Sequence, residues 1–300
     1  MKKFIIQILL LITVIIVSTL AIVVAVPHNR QAYLYEYVAK ERMLREVPPP
    51  RIIFVGGSNL AFGLDSGIIA DSLGLNVVNY GLHGGLGLKY MIDDVARNLQ
   101  RGDIVVVAPE YEHFYNAMYG GDAELSSVLV YSGWKNAGTL NVPQLLNALS
   151  GLPLYVRTNL HTPAGEREYS ARNFNAFGDE TVHWSLPSEV VTPSPIEGEF
   201  DAAFAAYFAR KIEEMRREHE VVVLPPVLMS SAYDLNELKI GAVAEALAER
   251  GTPFQMPTRS GVLPDSCAYD TQYHMNRTGA ERNTYRLLQS LDTLILQTHQ

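Results

Sequence analysis

Two short segments at opposite ends of the chain carry residue types that together can move an acyl group. Phe54-Val55-Gly56-Gly57-Ser58-Asn59-Leu60-Ala61 reads as a strand that turns at two glycines into the start of a helix. Glycine lets backbone turn tightly and approach a ligand closely, and the free N–H groups of a helix N-terminus stabilise an oxyanion forming at Ser58. The same kind of turn also holds phosphate or a dinucleotide, but neither G-x-G-x-x-G nor the Walker pattern stands here. The second segment is Tyr269-Asp270-Thr271-Gln272-Tyr273-His274-Met275-Asn276-Arg277-Thr278-Gly279. A serine hydroxyl becomes a good nucleophile when a neutral imidazole takes its proton, and a carboxylate then fixes the imidazole tautomer and steadies its positive charge. His274 supplies the base and Asp270 the carboxylate, with Asp265 as the alternative acid and a plain Ser–His dyad as the simpler arrangement.

These segments need a scaffold that brings them together. Bounded, β-branched apolar runs at 51–55, 76–80, 103–108 and 220–224 read as buried parallel strands. Apolar spacings of three and four predict helices over 65–73, 88–99, 200–219 and 236–250, and a further helix follows the His274 block. Alternating strands and helices imply an α/β fold, a doubly wound parallel sheet with helices on both faces, in which ligands bind at the carboxyl ends of the strands. The interval 112–199 breaks this rhythm and reads as a long insertion, either a lid or substrate wall or irregular packing over the sheet.

Together the segments resemble the SGNH (GDSL-like) hydrolase superfamily, and within it the membrane-anchored, exported branch that accompanies cell-envelope polysaccharide or teichoic-acid acylation. Gly57-Ser58-Asn59 stands where the family carries its Gly-Asp-Ser nucleophile block, with Gly57 in place of the aspartate. Asn79-Tyr80-Gly81-Leu82-His83-Gly84-Gly85 is similar to the second block, and 270–279 to the terminal acid-and-histidine block. The resemblance implies a flavodoxin-like fold and catalytic Ser58, His274 and Asp270. It further implies an oxyanion hole from the backbone N–H of Ser58 and Gly81, with Asn59, His83, Glu110 and Tyr111 around the substrate. Two departures stand out. Where the family offers an oxyanion-binding asparagine after the third strand, this chain has Val107-Ala108-Pro109-Glu110-Tyr111-Glu112, and its acid and histidine are four apart rather than three. The implied activity is transfer of an acyl group, acetyl first among them, to or from a polysaccharide hydroxyl through an acyl-serine, without cofactor, with an integral membrane acyltransferase as the implied partner. An exported carbohydrate esterase or deacetylase shares the same acyl-enzyme, and a non-catalytic polysaccharide-binding or assembly protein is the reading from another class.

Composition narrows the rest. A formal net charge of -8 over 300 residues, with no Lys/Arg cluster beyond the mixed-charge stretch 210–220, disfavours a nucleic-acid partner. Cys267 is the single cysteine, which excludes an internal disulfide and a multi-cysteine metal site. Glu110, Glu112 and His113 lie close in sequence, but no spacing here demonstrates three converging ligands, and no metal is expected. Residues 4–26 form an apolar run behind Lys2 and Lys3, longer than a secretory h-region and long enough for a membrane anchor. A cleaved signal is the alternative. The positive-inside rule puts the N-terminus in the cytoplasm and the domain outside, with Arg30 as a mild counter-signal. The expected organisation is an anchor over 1–26, a polar stalk over 27–50 ending in three prolines, and a catalytic domain over 51–300. Tyr115, Trp134, Tyr155 and Trp184 read either as sugar-stacking surfaces or, as scattered aromatics more often do, as core, and Asn276 as an N-cap for the last helix rather than a glycosylation acceptor.

Overall fold

The computed structural model describes residues 1–160 and 169–298, with side chains up to residue 291. Helix α1 spans Lys2–Ala25 and helix α2 Glu36–Glu46. Strand β1 (Arg51–Gly56) leads into α3 (Ser58–Ala61) and α4 (Ser66–Leu73), and β2 (Asn76–Gly81) into α5 (Leu88–Asn98). Strand β3 (Ile104–Ala108) opens the irregular stretch that holds α6 (Leu125–Tyr131), α7 (Val142–Ser150) and α8 (Leu152–Leu160). Helix α9 (Ala202–Arg216), strands β4 (Glu220–Val223) and β5 (Leu228–Met229), α10 (Ser230–Glu249), β6 (Val262–Leu263) and α11 (Arg277–Thr298) complete the order.

The main sheet has the order β2-β1-β3-β4, every pair parallel, with Ile53 opposite both Val78 and Val105 and Val106 opposite Val222. The strands are mostly apolar, with the buried Arg51 and Asn79 as polar exceptions, because both faces are covered and neither set of alternating side chains meets water. Ile53, Val55, Val78, Val105, Val107 and Val223 point into one core, closed by residues such as Tyr37, Met91, Val128, Phe208 and Ile240. Ile52, Phe54, Val77, Val106 and Val222 point the other way, against Leu60, Ile69, Leu287 and Leu291. The strand and helix positions expected from periodicity hold to within a few residues, except that α10 starts at Ser230, two turns earlier than its apolar pattern implied. Strands β5 and β6 pair with each other as a short parallel ribbon beside the sheet.

The segment expected as a stalk is built into the domain. Tyr37, Lys40 and Leu44 of α2 are buried, and the Tyr37 hydroxyl donates to Asp94 Oδ2 at 3.1 Å. Arg51, fully buried at the start of β1, forms a paired contact to Asp103 at 2.9 and 3.0 Å and also donates to the carbonyls of Leu44 (2.6 Å) and Val47 (2.9 Å) at the end of α2. A planar guanidinium suits this, since it satisfies a carboxylate and several helix-end carbonyls at once. The polar composition of 27–50 conceals the buried face of α2 because that face is itself partly charged: Glu36, Lys40 and Glu41 are all buried.

The irregular stretch is sewn to the ends of β1 and β2. Buried Asp179 accepts from Ser66 Oγ (2.6 Å), Ser66 N–H (2.9 Å), Asn79 Nδ2 (2.7 Å) and Asn175 Nδ2 (3.0 Å). The Glu180 N–H donates to the Ala61 carbonyl at 2.8 Å. A carboxylate taken out of water needs this many donors to stay there, and in return they fix the loops that follow both strands.

Candidate active site

Ser58 is the first residue of α3, directly past the carboxyl end of the central strand β1. The turn has no room for side chains. A Cβ on Gly56 would lie 2.5 Å from the Ala108 carbonyl oxygen of β3, and one on Gly57 would collide with the Glu110 carboxylate. That carboxylate is the nearest polar partner of the serine: Ser58 Oγ donates to Glu110 Oε1 at 3.2 Å, and the Asn59 N–H donates to the same oxygen at 3.0 Å. Glu110 therefore occupies one of the backbone donors at the N-terminus of α3.

His274 lies on the loop before α11. Its Nδ1 stands 2.7 Å from Asp270 Oδ1, so the Asp–His pairing forms at a spacing of four. With Nδ1 engaged by the carboxylate, Nε2 is the nitrogen left to take a proton. The ring is stacked on Phe62, with centroids 4.0 Å apart and planes within 8°. The Tyr169 hydroxyl donates to the other oxygen of Asp270. Burial pulls the Asp270 carboxyl up, but the hydrogen bonds from His274 and Tyr169 outweigh it and hold its pKa below the usual carboxylate value.

Ser58 and His274 line one open cavity of about 440 Å³, together with Tyr33, His83, Glu110 and Tyr169. They share this cavity without a hydrogen bond between them; Ser58 turns to Glu110 instead. Catalytic hydrogen bonds are often long or misaligned without substrate. His83 accepts the Gly85 N–H on Nδ1 at 3.1 Å, and burial pushes its pKa down, so it stands neutral at the rim. Glu112 also faces the cavity, accepts from the Tyr273 hydroxyl and from Gln272 Nε2 (2.7 Å), and is pushed up to about 7, chiefly by burial.

Several expectations change. The Gly81 N–H is spent on Asn79 Oδ1 at 2.9 Å, and its carbonyl accepts from the buried Lys40 ammonium; this glycine supports the loop rather than offering a donor to the cavity. Asn59 is buried with its Nδ2 on the Ala108 carbonyl at 3.1 Å, a brace between β1 and β3 rather than a substrate contact. Tyr111 is fully buried in the core, and its N–H donates to the Tyr273 hydroxyl at 3.2 Å. Asp265 accepts from Ser230 Oγ (2.8 Å) and the Ser231 N–H (2.9 Å) at the start of α10, far from the role of a second acid. Tyr115, Trp134, Tyr155 and Trp184 pack into hydrophobic clusters instead of facing Ser58. Asn276 caps α11 as expected, its Oδ1 accepting from the Gly279 N–H at 3.1 Å.

The aromatic wall of the cavity comes from residues that no motif marks. Tyr33 meets His83 and Tyr169 edge-on, Tyr169 lies tilted to His274, and Phe62 is stacked against the His274 ring behind them. The Tyr33 hydroxyl is buried without a hydrogen-bond partner among the described residues, and burial raises its pKa well above the usual phenol value, so it remains a proton donor. Behind the wall, His183 holds Glu180 on Nδ1 and the Met275 carbonyl on Nε2 at 2.8 Å, tying the irregular stretch to the residue after His274. Tyr33 sits in the polar stretch before α2, and Tyr169, Glu180 and His183 in the irregular one. Nothing in local spacing signals that any of them meets His274.

No protein-family model matches this chain, and neither a curated protein nor a solved structure matches it.

Proposed function

We propose that the chain is a serine-dependent acyl-transfer enzyme of the SGNH kind, doubly wound around its parallel sheet, tethered by α1 with its domain on the extracytoplasmic side. The observation that carries this reading is the His274–Asp270 pair, 2.7 Å apart, on the wall of the cavity that also receives Ser58 from a strand-to-helix turn. In the proposed reaction His274 Nε2 takes the Ser58 hydroxyl proton as Oγ bonds to the acyl carbon. Collapse of the tetrahedral adduct breaks the bond to the leaving oxygen, which receives that proton from the imidazolium. An acceptor hydroxyl then repeats the steps in reverse order, its proton passing to His274 and Ser58 recovering its own. Asp270, held by Tyr169, keeps the imidazole oriented throughout. The Ser58 N–H and the Tyr33 hydroxyl are the proposed oxyanion donors, in place of Gly81.

Transfer to a sugar hydroxyl of an envelope or extracellular polysaccharide, with acetyl as the group, is favoured over hydrolysis by the membrane tether and by an aromatic-walled cavity open to solvent. A plain esterase shares every step except the acceptor. The test is turnover of an activated acetyl ester by the full chain with and without unacetylated polysaccharide. Acetyl appearing on the polymer, with ester consumption accelerated by it, is the expected result; consumption that ignores the polymer and leaves it unmodified identifies an esterase. A second reading, a polysaccharide-binding protein with a silent site, draws on the Glu110 carboxylate seated against Ser58 Oγ and the Asn59 N–H.

A further inference from the structure

We infer that α7 and α8 form a second membrane contact, an interfacial hairpin that lies in the surface of the bilayer crossed by α1. The proposal rests on α1 lying in a bilayer and is independent of the acyl-transfer reading. Helix α1 is 24 residues long, its most apolar 18-residue window has a mean hydropathy of 3.1, and that window is almost wholly exposed. At 1.5 Å per residue it measures about 36 Å, slightly more than the roughly 30 Å of a bilayer hydrocarbon core. Helix α8 packs against its far end. Val23 and Val26 join Leu152 and Tyr155 in one buried cluster, and an apolar groove of about 440 Å³ is lined by Thr19, Ile22 and Val23 on one side and Leu152, Val156 and Leu160 on the other. Thr19 is six residues from the end of α1, about 9 Å along the helix axis, a depth that matches the roughly 5 to 10 Å reached by interfacial helices. A segment that touches α1 at Thr19 sits at the boundary of the hydrocarbon.

Helix α7 precedes α8 in chain and is inside out for a helix in water. Two of its polar side chains turn to the protein: Gln144 is fully buried and closes a capping box with Asn141, and Asn147 Nδ2 donates to the Gly121 carbonyl at 2.6 Å. Its apolar residues face outward at the helical spacing of one face: Val142 is 70% exposed, Leu145 37%, Leu146 60% and Leu149 45%. On α8, Leu160 is 56% exposed beside the groove, and Arg157 lines that groove with a stem that can lie along apolar surface while its charge reaches the headgroups. Continuity with a helix whose own surface calls for lipid identifies the occupant of this face as the bilayer. The hairpin and the span together give two contacts, enough to fix the tilt of the domain and the height of the Ser58 cavity above the membrane.

The test places nitroxide labels on cysteines introduced singly into the full chain as Leu146→Cys and Leu149→Cys, with Leu11→Cys in the middle of α1 and Leu238→Cys on α10 as references. The protein is reconstituted in phosphatidylethanolamine–phosphatidylglycerol vesicles, and the unsubstituted chain, whose Cys267 is buried, serves as the labelling blank. Relaxation by oxygen, which partitions into lipid, is compared with relaxation by a water-soluble nickel chelate. The expected result is an oxygen-to-nickel ratio at 146 and 149 severalfold above that at 238 and below that at 11. A ratio at 146 and 149 equal to that at 238 overturns the hairpin contact while leaving the span intact. Low relaxation by both reagents at 146 and 149 also overturns it, in favour of a protein partner on this face. A water-like ratio at 11 overturns the span and the hairpin contact together.

Discussion

Glu110 is the residue on which the chemistry of the cavity turns. An ionised carboxylate accepts hydrogen bonds and cannot give them, and here it sits on Ser58 Oγ and the Asn59 N–H, next to the Ser58 N–H proposed to hold the oxyanion. Two unit charges 4 Å apart repel by about 4 kcal/mol at an effective dielectric of 20, so a carboxylate in this place opposes acyl transfer unless substrate displaces it. Glu110→Gln keeps the shape and removes the charge, and is expected to raise kcat for an uncharged ester about tenfold or more by removing that repulsion. A fall in kcat with the fold intact would show instead that the carboxylate helps Ser58 lose its proton. Glu112, on the same wall, governs stability. Burial holds its carboxyl up at about 7, from an ordinary value of 4.5, against the pull of the Tyr273 hydrogen bond, and Glu110 adds to the rise. The folded chain therefore keeps a proton that the unfolded chain releases, and stability falls as pH rises from about 4.5 to 7 and levels off above, by at most about 1.4 kcal/mol per pH unit for one group. Glu36, raised to about 7 by burial against the opposing pull of Lys40, acts with the same sign. Asp270 has the opposite sign: its depressed pKa contributes stability that is lost only as pH drops below the ordinary carboxylate range, outside this window. Urea titrations from pH 5 to 7 should show the decline, shallower in Glu112→Gln; an unchanged slope would remove Glu112 from the account.

Helix α2 shows how an element is joined to a site it does not touch. Its Lys40 ammonium reaches the Gly81 carbonyl and pairs with Glu36 at 3.3 Å, while Arg51 gathers the carbonyls at its end. Removing one partner of a buried charge pair leaves the other uncompensated and costs about 3 to 5 kcal/mol, a large part of the roughly 5 to 15 kcal/mol by which domains are stable. A fragment starting at Arg51 lacks α2 and Tyr33 and is expected to be insoluble or to unfold without a cooperative transition. A fragment starting at Pro27 is expected to melt cooperatively. Equal melting of both would mean that α2 is an accessory. The strands of the main sheet were legible because each is apolar on both faces, and their helices because one face is apolar. Helix α2 was not, since its buried face holds Glu36, Lys40 and Glu41, and polarity of composition then says nothing about burial. Ser58, His274 and Asp270 were legible from residue type and local spacing; Ser58 and His274 line one cavity, and Asp270 pairs with His274. Gly81, Asn59 and Tyr111 were misassigned because the partner that claims each backbone or side-chain group, Asn79, Ala108 or Tyr273, is a matter of tertiary packing.

Over the whole molecule, the irregular stretch between β3 and α9 has two jobs. Its later part, through Tyr169, Asp179, Glu180 and His183, closes around His274 and the loops after β1 and β2. Its earlier part, through α6 and α8, stands against the end of α1. The same stretch thus lies between the apolar helix α1 and the cavity. This arrangement fits the proposed acyl transfer to a polymer presented at a surface. The proposed acyl transfer depends on Ser58 being a nucleophile. The most direct measurement is labelling of the folded full chain with a serine-directed fluorophosphonate, located by peptide mass spectrometry and compared with Ser58→Ala and His274→Ala. The account predicts a single adduct on Ser58, absent from Ser58→Ala and slowed by roughly 10³-fold or more in His274→Ala, in line with the loss of a triad member. A folded chain that takes no label at Ser58, or labels equally fast without His274, would contradict it.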